Sequence, residues 1–570
     1  MKNFTFLITT FVFLLSGYSY AQTPIKSTFQ GKYHMLSAEE LSNKKFVTSF
    51  LETDPPIGKV RNIAEFEQNE AIIVTYMGWG FGIPIKLIAE IAEDVNVITI
   101  VKNGIEASEV IGIYLNNQVD TSHCDFLYAA SNSYWCRDYS PWFIAVDDKV
   151  ALVNFSYNRN RPDDNDIPIN YAYAFNMDLY GMNLSHTGGN WMCDGMGVAA
   201  STDLVYDENP QLSGSQISEI VYNYLGVENY MVLPDPQAEY IKHIDCWAKF
   251  LDVDKILIAK LDVNDPRYQD YENMATYWAS QTSAYGNKYQ VFRVYSPNSQ
   301  PYTNSLIVNK KVLVPIVTGY GNSYNNEALE IYRTAMPGYE VIGFIDNGYE
   351  KWEPTDALHC RTHEIPNQNM LYIYHKPLLG GTEEQSEYKI SAEIIPYSKK
   401  PVSSAKLYYQ INGAGYQETL MSYESGNMYS AMIANPVTKS GNKEISYYIE
   451  AQDESGQISF HPFIGQADPH VFNPGQTTDI SFIENPSFDI SSYPNPVKER
   501  LFVSFRSEAV RRIELIITDL NGKVYISRKI SVHAGNYIEQ FNLNGFSKGM
   551  YLLTVKYDGN KICTHKVIVK

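Results

Sequence analysis

The chain has 570 residues, of which 44% are hydrophobic and 14% aromatic, so it is too long for one ordinary domain and suits about three or four globular units rather than a disordered polymer. Its 64 acidic residues against 45 basic ones give a formal net charge of -19 at pH 7, which disfavours nucleic acid and anionic membranes and mildly favours cationic substrates. The 45 tyrosines against 7 tryptophans favour strand-rich domains over helical bundles.

At the N-terminus, Met1-Lys2-Asn3 precedes an apolar run from Phe4 to Leu15, and Ser19-Tyr20-Ala21 stands before Gln22. A basic start, a short apolar core and small residues at the cut predict a secretory signal peptide over residues 1–21. No later run approaches the ~20 apolar residues of a membrane span, so no integral membrane segment is expected in the mature chain. The six cysteines (Cys124, Cys136, Cys193, Cys246, Cys360 and Cys563) show no metal-type CxxC spacing. A Cys124–Cys136 bridge or buried thiols account for most of them.

From about 30 to 375, strand-type and helical segments alternate. Residues 71–76 are a β-branched run, 84–94 carry apolar residues at helical spacing behind a first-turn proline, and 97–101 are again a strand. Residues 215–225 place Ile217, Ile220, Val221 and Leu225 on one helical face, with Gly226 as the stop, and a strand is expected over 255–263. Residues 306–308 and 312–314 flank Asn309-Lys310-Lys311, a hairpin signal. This is an α/β region. Beyond Pro377 the pattern changes to short alternating strands at 388–394, 406–411, 428–433 and 444–451, which predicts an immunoglobulin-like β-sandwich over 376–475.

The last unit, about 484–570, carries Tyr493-Pro494-Asn495-Pro496, Asp519-Leu520-Asn521-Gly522-Lys523 and Gly549-Met550-Tyr551-Leu552-Leu553. These motifs resemble the all-β C-terminal sorting domain read by the type IX secretion machinery. The resemblance implies export through the periplasm to the cell surface or medium, with that machinery as a partner.

Five polar clusters fall inside the α/β region: Trp135-Cys136-Arg137-Asp138, Gly188-Gly189-Asn190, His243-Ile244-Asp245-Cys246-Trp247, Asn304-Ser305-Leu306 and His359-Cys360-Arg361. Asp138, Asn190, Asp245, Asn304 and Cys360 follow one another at 52 to 59 residues, each interval the size of one βαβ unit. Near-regular spacing suggests a pseudo-symmetric fold whose units each send one cluster to a central site. The clusters resemble those of the guanidine-modifying superfamily, and in particular the secreted Porphyromonas-type peptidylarginine deiminases. That resemblance implies a five-bladed pseudo-symmetric α/β propeller, and a hydrolase that converts arginine side chains of peptides and proteins to citrulline and ammonia.

The chemistry asks for the same residue types. A guanidinium is planar and cationic, and its N–H donors match carboxylates on both edges, a role that suits Asp138 and Asp245. Attack on its carbon requires a thiolate, for which Cys360 is the candidate. Protonating the departing ammonia and activating water suit a histidine. By resemblance this is His243, with His359 and His363 as rivals; in a strand, His243 and Asp245 would share one face. The resemblance further implies that Asn304 orients the thiol or substrate and that Trp135 packs on the arginine stem. It also implies that Arg159 and Arg161, assisted by Tyr240, hold a substrate's terminal carboxylate. Alternatively, the two arginines pair with the acidic run Asp163-Asp164-Asn165-Asp166, which could also hold a structural calcium. No cofactor and no catalytic metal are implied. The competing functions are an agmatine or free-arginine deiminase and a non-catalytic surface adhesin.

Overall fold

Five small sheets between residues 60 and 366 repeat one local pattern, in which an antiparallel hairpin is followed by a third strand that lies parallel to the second. In the first, Trp142–Val146 and Lys149–Tyr157 form the hairpin, and helix Ile167–Phe175 returns the chain to Leu179–His186. The second pairs Met192–Cys193 with Val198–Thr202 and returns through helix Gly214–Leu225 to Asn229–Leu233. The third uses Ala248–Asp252, Lys255–Lys260, helix Tyr268–Ser280 and Gln290–Tyr295. The fourth uses Leu306–Val308, Lys311–Pro315, helix Asn325–Ala335 and Glu340–Phe344. The fifth draws on both ends of the region: His363–Pro366 pairs antiparallel with Asn69–Thr75, which lies parallel to Asn96–Val101 across helix Ile85–Ala92.

The computed structural model describes residues 50–435, 443–476 and 490–570, apart from 494, 508–510, 521, 533–534 and 558–559. The signal-peptide reading over 1–21 lies outside the described residues. Among them, no helix is long and apolar enough to cross a membrane.

Local sequence accounts for these elements. Middle strands such as Val198–Thr202 and Lys311–Pro315 are buried along their whole length, as strands covered on both faces are. The expected hairpin forms with Asn309 at φ 50°, a left-handed turn position that asparagine tolerates. Helix Gly214–Leu225 begins with a reciprocal Ser213–Gln216 capping box and ends at Gly226, φ 66°. The strand expected over 255–263 stops at Lys260, because the Asp262 carboxylate accepts from the Asn264 N–H and turns the chain toward the next helix.

Beyond this region, two sheets share one apolar core built from residues such as Ile390, Leu407, Ile433, Tyr447 and Ile449. One sheet orders Leu371–Tyr374, Glu387–Pro396, Met428–Ala434 and Ser422–Ser425. The other is centred on Val402–Ile411 and Ile445–Asp453. Leu371–Tyr374 lies ahead of residue 376, yet it pairs into the first of these sheets. The C-terminal segment forms a third core, from Val497 to Val569, between a three-stranded and a four-stranded sheet. It packs on the α/β region through Tyr493 against Tyr277, with ring centroids 4.1 Å apart, and through Phe502 stacked on Tyr206. Arg500 pairs there with Asp203 at 3.2 Å and Asp207 at 2.5 Å.

The Cys124–Cys136 bridge does not form. Both are free thiols on different elements, Cys136 donating to the Ile73 carbonyl and Cys124 to that of Asp120.

Candidate active site

The five polar clusters all lie just ahead of the first strand of a unit. Four are single helical turns, Cys136–Tyr139, Gly188–Asn190, Ile244–Cys246 and His359–Arg361. Such short turns aim buried side chains and backbone N–H groups inward from the ends of rigid strands. Hydrogen bonds link four of the five neighbouring pairs, and Thr202 bridges the second and third clusters by donating its N–H to Asn190 Oδ1 and its hydroxyl to the Lys242 carbonyl. Gly189 N donates to Asp138 Oδ1 at 3.2 Å, Thr303 Oγ1 to the Cys246 carbonyl at 3.0 Å, and Asn304 Nδ2 to Cys360 Sγ at 3.3 Å. Arg137 Nε donates to the His359 carbonyl at 3.4 Å and so joins the fifth cluster to the first.

Cys360 is 2% exposed, and Asn304 holds both its thiol and its backbone. Asn304 Oδ1 accepts from the N–H groups of His359, at 3.0 Å, and Cys360, at 3.3 Å. The next residue, Arg361, anchors the turn from the other side. Its guanidinium makes a two-point pair with Asp356, at 2.9 and 2.7 Å, and donates to the carbonyls of Gly82, Glu350 and Lys351. A hydrogen bond from the Cys246 thiol favours the Cys360 thiolate, but burial and the charges of Asp245, Asp356 and Asp138 outweigh it and raise the thiol above its ordinary value.

The two carboxylates are pushed apart. Burial and the like charge of Asp245 lift Asp138 to about 7, against Arg159, Thr187 and the Gly189 N–H. Asp245 is pushed up by burial, but its hydrogen bond from His359 and the charges of His359, His243 and Arg137 bring it below the usual carboxylate range. Such separation lets one site carry both a proton-accepting and a permanently charged carboxylate.

His243 stands with Nδ1 3.5 Å from Asp138 Oδ1. It is not on a strand with Asp245. His243 is the N-cap of the helical turn Ile244–Cys246, which holds Asp245, and Lys242 before it takes a left-handed conformation at φ 48°, so the alternation of a strand does not apply to the pair. The rival histidines have other partners. His359 donates from Nδ1 to Asp245 Oδ2 at 2.7 Å and from Nε2 to Glu65 Oε2 at 2.9 Å. His363 donates to the Pro141 carbonyl at 3.1 Å, and burial pushes it down to about 4.

Trp135, Asp138, Arg159, Arg161, Ile241, Thr355 and Cys360 line one cavity of about 10 Å³, so an arginine side chain enters only as these groups move. The Arg161 guanidinium lies over the Trp135 ring, 4.8 Å from its centroid, on the surface expected to pack an arginine stem. Arg159 lies 5.9 Å from the Tyr240 ring and also faces Glu208, which burial lifts to about 7 against the charge of Arg159. Within the acidic run, Asp164 accepts from Ser133 Oγ and the N–H groups of Asn132 and Ser133, and Asp163 from Asn132 Nδ2. Among the described residues, no group of three or more His, Cys, Asp or Glu is arranged to hold a metal ion. Sequence reasoning missed Glu65, Lys249 and Glu208, because none stands in a cluster or at a repeating interval.

A family model described as Porphyromonas-type peptidyl-arginine deiminase matches residues 82–366, half of the chain, and one described as a secretion system C-terminal sorting domain matches residues 491–570. The agmatine deiminase of Medicago truncatula is 22% identical over 298 residues, covering 43% of this chain and 79% of that protein. That of Stutzerimonas stutzeri strain A1501 is 24% identical over 287 residues, covering 42% and 75%. A solved structure bearing a provisional agmatine deiminase name is 18% identical, covers 56% of this chain and 99% of its own, and superposes with a TM-score of 0.51, a likeness of fold. The sorting domain marks the chain as secreted or held at the cell surface. The reach of the first match places the chain in the Porphyromonas-type peptidyl-arginine deiminase family, an exported guanidine-modifying deiminase akin to the agmatine deiminases.

Proposed function

We propose that the protein hydrolyses the guanidinium of peptidyl-arginine, by preference at a free C-terminus, to citrulline and ammonia. Asp138 and Asp245 grip the two edges of the guanidinium. Its positive charge offsets the carboxylates that hold Cys360 as a thiol, so substrate arrival favours the thiolate. The thiolate attacks the guanidinium carbon, and His243 protonates the nitrogen that leaves as ammonia. Water, deprotonated by the same His243, then attacks the thiouronium carbon, and the Cys360 thiolate departs from citrulline. The reaction balances with water alone and needs no cofactor or metal.

The observation that carries the choice of substrate is that Arg159 and Arg161 line the same cavity as Cys360 and Asp138. Two guanidinium groups there suit a carboxylate, which agmatine lacks. The agmatine deiminase names of the relatives favour the second reading, that agmatine or free arginine is the substrate. Measuring kcat/KM for agmatine, for a peptide ending in arginine and for its C-terminal amide separates the two. The proposal expects the free-acid peptide to lead. Replacing both arginines with alanine should lower kcat/KM for that peptide by about a hundredfold or more while changing the amide far less. Preference for agmatine in the parent, or an unchanged ratio in the double variant, would reject it. In the same reading the five units close into a propeller over 30–375, residues 376–475 are an immunoglobulin-like spacer, 484–570 serve sorting, and residues 1–21 are removed on export.

A further inference from the structure

Asp245 is tied to a line of charged side chains that no step of the reaction uses. Its Oδ2 accepts from His359, whose other nitrogen donates to Glu65 Oε2. The same Glu65 oxygen accepts from Lys249 Nζ at 2.7 Å, and Glu65 Oε1 accepts from the Ile307 N–H at 2.7 Å. The side chains of Asp245, His359 and Lys249 are 5%, 4% and 5% exposed, and Glu65 15%. With Arg137 and Glu364 they border a cavity of about 60 Å³.

Both ring nitrogens of His359 face carboxylate oxygens, which only accept, so the ring is fully satisfied when each nitrogen carries a hydrogen. An imidazolium between two carboxylates, with Lys249 balancing the second, is the paired arrangement that buried charge requires. We propose that Glu65 is a positioning residue for deimination: by fixing His359 it holds Asp245 oriented and charged for the guanidinium, without touching the substrate. Asp245 needs such support. It faces the thiols of Cys246 at 3.6 Å and Cys360 at 3.8 Å, and it shares the site with Asp138. His359, His243 and Arg137 supply the opposing charge, with His359 the largest contributor. Remove the partner that fixes His359, and burial together with Asp138 favours a protonated Asp245, which cannot form an ion pair with a guanidinium. Glu65 lies ahead of the residues matched by the family model, so that match does not assign it.

The test compares Glu65→Gln and Glu65→Asp with the parent over a pH series, using whichever guanidino substrate the parent turns over best. Turnover by the parent tests the activity itself; the comparison tests the link. Glu65→Gln is expected to raise KM about tenfold at neutral pH, through loss of orientation, and to move the lower of the two acidic limbs of kcat/KM, the one set by Asp245 and not the one set by Asp138, up by about one pH unit, with kcat at high pH close to the parent's. Glu65→Asp, which keeps the charge, should recover part of both effects. A limb left where the parent's lies, or a fall in kcat matching the fall in kcat/KM at every pH, would overturn the proposal in favour of a structural role. If Glu65→Gln does not fold, Lys249→Met reads the same limb from the end of the line. A smaller upward move is expected there, and none would equally overturn it.

Discussion

Gly189 has no room for a methyl group: a Cβ would lie 2.5 Å from His243 Nδ1 and 2.7 Å from Asp138 Oδ1. Gly189→Ala must therefore separate a candidate acid–base group from a candidate guanidinium ligand. Because misplacement by an ångström costs on the order of a hundredfold, kcat/KM should fall at least tenfold with the melting temperature nearly unchanged. Equal activity in that variant would show that neither side chain needs its present place. With Asp138 at about 7, the carboxylate is half protonated in the empty site near neutrality, so kcat/KM should rise with pH through about 7. Asp138→Asn should lose that limb together with most of the activity. Cys360, Asp138 and Asp245 were legible in the sequence because each sits in an unusual polar cluster and answers a demand of the chemistry, whereas Asn304 was reached through the family resemblance of its cluster. Glu65 was not. Ala64-Glu65-Phe66-Glu67 reads as ordinary surface acid, and its contact with His359 spans 294 residues of chain.

Helix Gly214–Leu225 shows which parts of an element a sequence announces. Its apolar face, its Ser213 start and its Gly226 stop are local and were readable. The reason Gly226 cannot change is not local, since a Cβ there would lie 2.0 Å from the carbonyl of Val60, which begins the strand Val60–Asn62 paired with Trp142–Val146 of the first sheet. Ser213→Ala should lower stability by about 1 kcal/mol through loss of the cap. Gly226→Ala should cost more, roughly 3 kcal/mol or above, from left-handed backbone strain plus displacement of a neighbouring strand. Denaturant unfolding of both variants checks the order; a Gly226→Ala change milder than Ser213→Ala would contradict the close approach. The turn bearing His243 marks the opposite case. Its residues carry no local signal that distinguishes a strand from a helical turn, and the turn Ile244–Cys246 was not readable from them.

Across the whole molecule, His375, His461 and His470 gather where the two-sheet region meets the third α/β unit. His461 Nδ1 lies 2.9 Å from His470 Nε2, and Tyr285 from the α/β region lies 3.3 Å from His461 Nε2. Burial pushes His375 down to about 4 and the other two well below their ordinary value. An unfolded histidine takes up its proton near pH 6.5, so stability from the neutral folded form is intact above that pH and is lost as pH falls toward 4. For His375 the loss between pH 7 and pH 5 is about 2 kcal/mol. Buried carboxylates lifted to about 7, Asp194 and Asp252 among them, act in the opposite sense over the same range. The histidine contribution therefore shows by difference: the melting-temperature gap between the parent and His375→Asn should narrow from pH 7 to pH 5. A constant gap would mean that His375 does not titrate differently in the folded and unfolded states.

The fifth sheet takes its first strand, His363–Pro366, from the far end of the α/β region and the next, Asn69–Thr75, from its beginning. On the ribosome, Asn69–Thr75 is made early and waits with one edge unpaired until His363 emerges, and Cys360 arrives only just before. A growing chain thus holds no complete deiminase until nearly all of this region has been synthesised. A chain ended at residue 362 should be inactive and, with that edge uncovered, prone to associate.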